Sequence, residues 1–175
     1  LDPYLAGKIQ SESPQSTIYL AGAKELCFHL TGSSAIDSTL HARLASAKPL
    51  NETGMNAVRT SMERAVGEES LRLESHLIIL ATAVSGAPFL GLLGTVWGVM
   101  DAFSDIALAG QASLAAMAPG VSGALITTVT GLVVAIPAMF GYNFLTTSIR
   151  HLNVEMENFA AECGAVFEHR YFDRS

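Results

Sequence analysis

Between Arg72 and Arg150 the chain has no lysine or arginine, and its only acidic residues there are Glu74, Asp101 and Asp105. Two uncharged runs lie inside this stretch, Ser75 to Met100 and Ile106 to Ile149. Each exceeds the roughly 20 apolar residues that a helix rising about 1.5 Å per residue needs to cross a hydrocarbon core of about 30 Å. The pattern predicts two membrane-spanning helices, at about residues 77–103 and 121–147, joined by an outer turn at residues 110–113 that contains Gly110 and Gln111. All ten basic residues precede the first span or follow the second. By the positive-inside rule both flanks are cytoplasmic and the turn faces outward.

Outside the spans the apolar positions thin into stripes. Residues 1–52 read as a polar, helical cytoplasmic segment, with Ile18, Leu20, Leu26 and Leu30 in an imperfect 3.6-residue period over Ser16 to Leu30, then punctuation at Gly32-Ser33-Ser34 and Lys48-Pro49. Asn51 or Thr53 can cap the next helix, whose Met55, Val58, Met62, Ala65, Val66 and Leu73 form an apolar stripe. No breaker separates it from the first span, so one long helix is expected over residues 53–109. A second is expected over residues 114–172, with Ile149, Leu152, Met156, Phe159 and Cys163 continuing an apolar stripe beyond the bilayer. Two such rods have few partners within one chain, and oligomerisation is the expected way to cover the stripes. The fold class is therefore an all-α membrane protein whose long transmembrane helices extend into the cytoplasm.

Composition narrows the functional classes. Of 175 residues half are apolar and only 15% are charged, below the roughly 25% of soluble domains. A net charge of −6 with no basic patch argues against a nucleic-acid partner. Cys27 and Cys163 lie far apart on segments expected to face the reducing cytoplasm, and read as buried, inert thiols. His29, His41, His76, His151 and His169 are scattered without a pair at metal-ligand spacing, so no metal site or cofactor is expected. The glycines of Gly91-Leu-Leu-Gly94-Thr95-Val-Trp-Gly98 precede no lysine and sit among apolar residues, unlike a phosphate-cradling loop. The chain does not read as an enzyme.

The spans share a device. Ala87, Gly91, Gly94, Thr95, Gly98 and Ala102 recur at steps of three and four, and Gly120, Ala124, Thr127, Thr128, Gly131, Ala135 and Ala138 repeat the stripe in the second span. Close helix packing through small residues accounts for most of the glycines. Threonine does more than supply smallness, because Thr95, Thr127, Thr128 and Thr130 bring hydroxyls to membrane depth. Each can bond back to the carbonyl one turn earlier, or face a narrow polar cavity. Pro88 and Pro137 sit inside spans as fixed kinks or as hinges. Asp101 and Asp105, four residues apart, mark the water boundary or, in several copies around an axis, a cation-attracting outer mouth.

Ala87-Pro-Phe-Leu-Gly-Leu-Leu-Gly-Thr-Val-Trp-Gly-Val-Met100, then Ala118-Pro-Gly-Val, then Gly131-Leu-Val-Val-Ala-Ile-Pro-Ala138 with Tyr142-Asn143, closely resembles the MotA/TolQ/ExbB proton-channel family, in particular its TolQ and ExbB branch. The match covers residues 53–150, and the order of cytoplasmic segment, span, turn, span and cytoplasmic helix agrees. That family has three spans, so the first is expected upstream of Leu1. The resemblance implies a pentamer around a central pore in the bacterial inner membrane, both ends of this chain being cytoplasmic. The pore would hold the single spans of ExbD- or TolR-like subunits, whose aspartate carries the proton.

On this footing the proton-pathway lining is Thr95, Thr128, Thr127, Gly91, Ala124 and Gly131, with Pro88 and Pro137 as kink or gating positions and Asp101 and Asp105 at the outer mouth. The implied function is the pore-forming subunit of an energy-transducing stator driven by the proton motive force. A stator of a gliding or other motility system and a non-conducting membrane scaffold are the alternatives. One departure stands out: where many family members have glutamate in Ala-Pro-Gly-x-x-Glu-Ala-Leu, this chain has Gly123, and Asp101 reads as too far outward to replace that acid.

Overall fold

The structure is a computed structural model that describes residue 4 and residues 13–33, 43–44, 47–110 and 113–172. Ser34, His41 and Gln111, singled out above, lie outside the described residues. Among the described residues four long helices follow one another: α1 (Pro14–Thr31), α2 (Glu52–Ser75), α3 (Leu77–Ala109) and α4 (Leu114–Tyr171). The protein is all-α, and two helical stretches are long and apolar enough to cross a membrane. The chain divides into two units, Leu1–Leu73 with Ile149–Ser175, and Glu74–Ser148.

In the first unit α1 starts where local chemistry dictates. Ser13 caps it, its hydroxyl accepting from the Ser16 N–H at 3.2 Å, while the Ser16 hydroxyl accepts from the Ser13 N–H at 3.2 Å and Pro14 occupies the first turn. The helix stops at Gly32, which adopts a left-handed φ of 74° and donates to the Phe28 carbonyl at 2.8 Å. Asn51 caps α2, its side-chain oxygen accepting from the Gly54 N–H at 2.9 Å. At the far end of α4 the Leu50 N–H donates to the Tyr171 carbonyl at 2.7 Å, which ties the segment before α2 to the last turn of α4.

These helices bury one shared core. Ile18, Ala23, Leu26 and Cys27 of α1 meet Met55, Val58, Met62, Ala65 and Val66 of α2 and Met156, Ala160 and Phe167 of α4. The stripes expected to require a second copy are thus covered within the chain, because α1 supplies the missing third face. Leu152 alone among the stripe residues of α4 stays 40% exposed. Each fully buried aliphatic side chain contributes about 1.5–3 kcal/mol. The Arg59–Glu168 ion pair, partly exposed, adds at most about 1 kcal/mol. Apolar burial therefore holds this unit together.

The helix expected over residues 53–109 is interrupted at one residue. His76, with φ −79° and ψ −16°, separates α2 from α3. The interruption falls just after Glu74 and Ser75, and His76 itself keeps right-handed helical dihedral angles.

The second unit is a helical hairpin with its apolar residues turned outward. Leu92, Leu93, Val96, Trp97, Met100 and Phe103 on α3 are exposed, as are Leu125, Ile126, Val129, Val133, Phe140 and Phe144 on α4. Buried instead are Gly91, Ala102, Ala124 and Ala135. A soluble helical hairpin does the reverse; this arrangement is that of helices which meet through small residues and present bulky ones to lipid or to other helices. Gly110 ends α3 with φ 62° and donates to the Ile106 carbonyl at 3.1 Å.

The core of the first unit makes a chemical prediction. Cys27 is free and buried, and burial pushes its thiol above the ordinary range. At pH 8 its thiolate is therefore scarcer than in an exposed cysteine, and iodoacetamide should modify it slowly. Leu26→Ala, which removes a fully buried side chain beside it, should destabilise the unit by about 2–5 kcal/mol. Mass spectrometry of a labelling time course should then show Cys27 alkylated at least several times faster than in the parent chain. Equal rates would mean that α1 is not held by this core.

Candidate functional site

The hairpin register fixes what meets what. A Cβ added at Gly98 would lie 2.8 Å from the Ala124 Cβ, and one at Gly120 2.9 Å from the Ala102 Cβ. Farther along, a Cβ at Gly131 would lie 2.6 Å from the Ala87 carbonyl oxygen and 3.1 Å from the Gly91 Cα. Backbone faces backbone at this end, and no side chain there can move aside. One stripe from each span forms a single antiparallel seam.

Three hydroxyls converge where the helices are closest. The Thr95 hydroxyl lies 3.2 Å from the Gly91 carbonyl on its own helix and 3.1 Å from the Ala124 carbonyl across the seam. Thr128 reaches the Gly91 carbonyl at 3.2 Å, and the Thr95 and Thr128 hydroxyls bond each other. Thr127 bonds the Ala124 carbonyl at 2.7 Å and spans to the Gly91 carbonyl at 3.2 Å. Thr127 also needs Gly94, where a Cβ would come within 2.5 Å of its oxygen. Thr130, by contrast, bonds only the Ile126 carbonyl on its own helix, at 2.9 Å.

Each hydroxyl carries one proton and two acceptor positions. Three donors thus face two shared carbonyls and one another, with more acceptors in reach than protons to fill them. Several patterns of donation satisfy the cluster, and changing from one to another requires only rotation of hydroxyls. The charge here is all dipolar; there is no ionised group among the three threonines and the two glycine and alanine carbonyls.

The expected residues divide as follows. Thr95, Thr127, Thr128, Gly91, Ala124 and Gly131 come together at the seam. Pro88 and Pro137 lie within α3 and α4, both of which continue through them as helix. Asp101 and Asp105 are exposed and line a groove of about 530 Å³ between α3 and α4. Thr127 and Gly123 line the same groove, so Asp101 is not remote from position 123. With Gly98 opposite Ala124 and Ala102 opposite Gly120, its axial offset from Gly123 is about 3 Å on the helical rise. The sequence reading overlooked Trp97, also in the groove wall. Its spacing, three residues after Gly94 and four before Asp101, was the signal.

Residues 30–158 match the MotA/TolQ/ExbB proton channel family. The chain belongs to that family. It is 35% identical over 150 residues to the Tol-Pal system protein TolQ of Haemophilus influenzae, an alignment covering 83% of this chain and 66% of that protein. Identity is 40% over 116 residues with TolQ of Pseudomonas aeruginosa, covering 66% of this chain and 50% of the relative. The biopolymer transport protein ExbB of Xanthomonas campestris pv. campestris is 44% identical over 103 residues, covering 59% and 41%. These relatives support the TolQ/ExbB branch. The chain spans between 41% and 66% of their lengths.

The seam predicts an asymmetry among its glycines. Gly131→Ala sets a methyl against the Ala87 backbone and should cost about 1–3 kcal/mol of hairpin stability. Gly123→Ala meets nothing within 4 Å inside a helix and should be neutral or stabilise the hairpin by up to about 1 kcal/mol. Reversible denaturation in mixed detergent micelles compares the two; equal stabilities would refute the register.

Proposed function

We propose that this chain is the pore-forming subunit of a TolQ/ExbB-type stator, a bacterial inner-membrane assembly that conducts protons together with a single-span, ExbD- or TolR-like partner. In this reading the subunit is pentameric, with the open side of the α3–α4 seam, where Thr95 and Thr128 are half-buried, toward a central pore and both chain ends in the cytoplasm. The observation that carries the proposal is the Thr95–Thr128 hydroxyl pair, set at membrane depth between two spans that contain no basic residue. Both threonines are only half-buried, so a carboxyl group outside the hairpin can reach them.

The chemistry follows from the inventory of the pair. A hydroxyl can donate to a carboxylate and can accept from a carboxylic acid. When the partner's carboxyl loads a proton, Thr95 or Thr128 changes from donor to acceptor by rotation. The hydroxyl, no longer donating to the partner, donates instead to the in-chain carbonyl of Gly91 or Ala124. Stabilisation of both protonation states by the same pair lowers the difference between them, which a conducting site requires. A fixed charge in this place would instead favour one state, and at the bilayer centre it costs at least about 2.5–3.5 kcal/mol.

A non-conducting scaffold has one observation in its favour, since each of the three clustered threonines already has a carbonyl acceptor inside the chain. Substitution separates the two readings. Thr95→Ala and Thr128→Val, each in the full-length protein with its partner, should reduce proton flux in reconstituted vesicles by at least tenfold and leave assembly intact, whereas Thr95→Ser and Thr128→Ser retain flux. Normal flux in both hydroxyl-free variants would establish the scaffold instead.

A further inference from the structure

The first unit leaves one side of α2 and α4 without a cover. A cleft of about 530 Å³ opens between them, floored by Met62, Val66 and Ala160 and walled on α4 by Ala161, Gly164 and Ala165. Among the described residues none of α1 lines it. Its charged edges are Arg59, Glu63 and Glu157, and Glu168 takes the Arg59 charge. The cleft is therefore small-walled and acidic. Val154, three residues before Glu157 and 51% exposed, extends its wall along α4. The outward face of α2 carries Thr60, Arg64, Gly67 and Leu71, all exposed and recurring at steps of three and four. Two of these have no account within the chain. Leu71 is 70% exposed in a unit that is held together by apolar burial from water. At Gly67 a Cβ meets nothing within 4 Å, although alanine inside a helix is the more stable residue.

We infer that the outward face of α2 in one copy seats in the α2–α4 cleft of the next, a head-to-tail contact repeated around a ring. This rests on the stator reading for the existence of a ring, and on the two surfaces for how its copies join. Symmetry then fixes the register. Inside the chain α2 and α4 run antiparallel: Ser70 bonds Asn153 at 3.0 Å, and a Cβ on Gly164 would lie 3.8 Å from the Met62 side chain and 3.9 Å from that of Arg59. Rotation about an axis along these helices carries a copy sideways without raising it, so the same levels hold between neighbours. Leu71 comes level with Val154, Gly67 with Glu157, Arg64 with Ala161, and Thr60 with Ala165.

Each of these levels brings together groups that suit one another. The exposed Leu71 meets the exposed Val154, and both leave water. Arg64, held in the free subunit only by a solvated pair with Glu68 at 3.8 Å, comes level with Glu63 of the next copy and one turn from its Glu157. Gly67 lets the two helices approach where Glu157 must fold aside toward that arginine. Thr60 meets the small side chain of Ala165. A two-fold contact is disfavoured by the same charges, because it sets cleft against cleft and opposes Glu63 and Glu157 with themselves. The two faces are different surfaces of one unit, and such a heterologous contact closes into a ring when its rotation closes.

The test uses the full-length protein with its partner in membranes, in a chain with Cys27 and Cys163 replaced by alanine. Leu71→Cys and Val154→Cys together should, on oxidation with copper phenanthroline, link chains into a ladder that runs beyond the dimer. Leu71→Cys with Glu155→Cys, an exposed position turned about 100° around α4 from Val154, should link at least tenfold less. Arg64→Glu should lower the Leu71–Val154 linkage at least fivefold, and adding Glu157→Arg should restore it. All five positions are exposed in the subunit, and circular dichroism should show unchanged helicity. A ladder that stops at the dimer means a two-fold contact and overturns the inference. Absence of linkage also overturns it; if Val154→Cys is then shielded from a water-soluble maleimide, another segment fills the cleft. Should linkage fail while the complex still has five copies and conducts protons, the stator reading stands and the copies join elsewhere. A ladder that closes at another number keeps this contact and removes the pentamer from the stator reading.

Discussion

The approach of α3 to α4 through absent side chains is the contact on which the rest of the hairpin depends. A methyl at Gly131 would have to occupy space 2.6 Å from the Ala87 carbonyl, so the two backbones are as near as they can be. Everything else about the unit is a consequence of that proximity. Bulky residues have nowhere to go but outward, and threonine hydroxyls can reach carbonyls on the opposite helix. In lipid, where apolar surfaces gain little by leaving their surroundings, such contact and the hydrogen bonds it permits are the available sources of cohesion. The first unit is built on the opposite rule. Its helices meet through Ile18, Leu26, Val58, Met62 and Met156, all fully buried, and apolar burial from water supplies its stability. One chain thus carries two solvent codes.

How legible each code was depended on whether it is local. The spans could be read directly, because length and absence of charge are properties of a segment by itself. Helix starts could be read almost as well, since Asn51 needs only its own next three residues to act as a cap. The partner of the apolar stripe on α2 could not be found in this way. The periodicity of α1 is imperfect, with Gly22 and Ala23 among its buried residues, so nothing in its pattern announces that it completes a core with helices remote in sequence. The stripes therefore looked unpartnered, and a second copy was invoked to cover what the chain covers itself.

A similar limit applies at the hydroxyl seam. Pattern alone put hydroxyls of Thr95, Thr127, Thr128 and Thr130 at membrane depth, and the stepwise small residues suggested a face without fixing a register. Only the pairing of Gly98 with Ala124 and Ala102 with Gly120 separates Thr130, which bonds its own helix, from the three threonines that engage the seam. The groove is less legible still. Position 123 sits among glycines that serve contact, and its openness is a property of two helices rather than of either sequence. Trp97 and Asp101 fall along the same wall for the same reason.

The lack of charge in the hairpin's interior is a constraint on mechanism as much as a mark of lipid. A carboxylate placed beside the seam would need a partner of opposite sign or a costly desolvation, and the chain has no basic residue between Arg72 and Arg150 to provide one. Dipoles meet neither difficulty. Hydroxyls and carbonyls already satisfied within the chain can turn toward a visiting charge and relax when it leaves, with small changes in energy at each step. A wall made in this way cannot hold a proton for long, so under the proposed function the proton carrier belongs to another chain. The two carboxylates of the hairpin stand at its outer end, where water can solvate them. The division between acid at the outer end and hydroxyl at depth thus follows from the cost of burying charge.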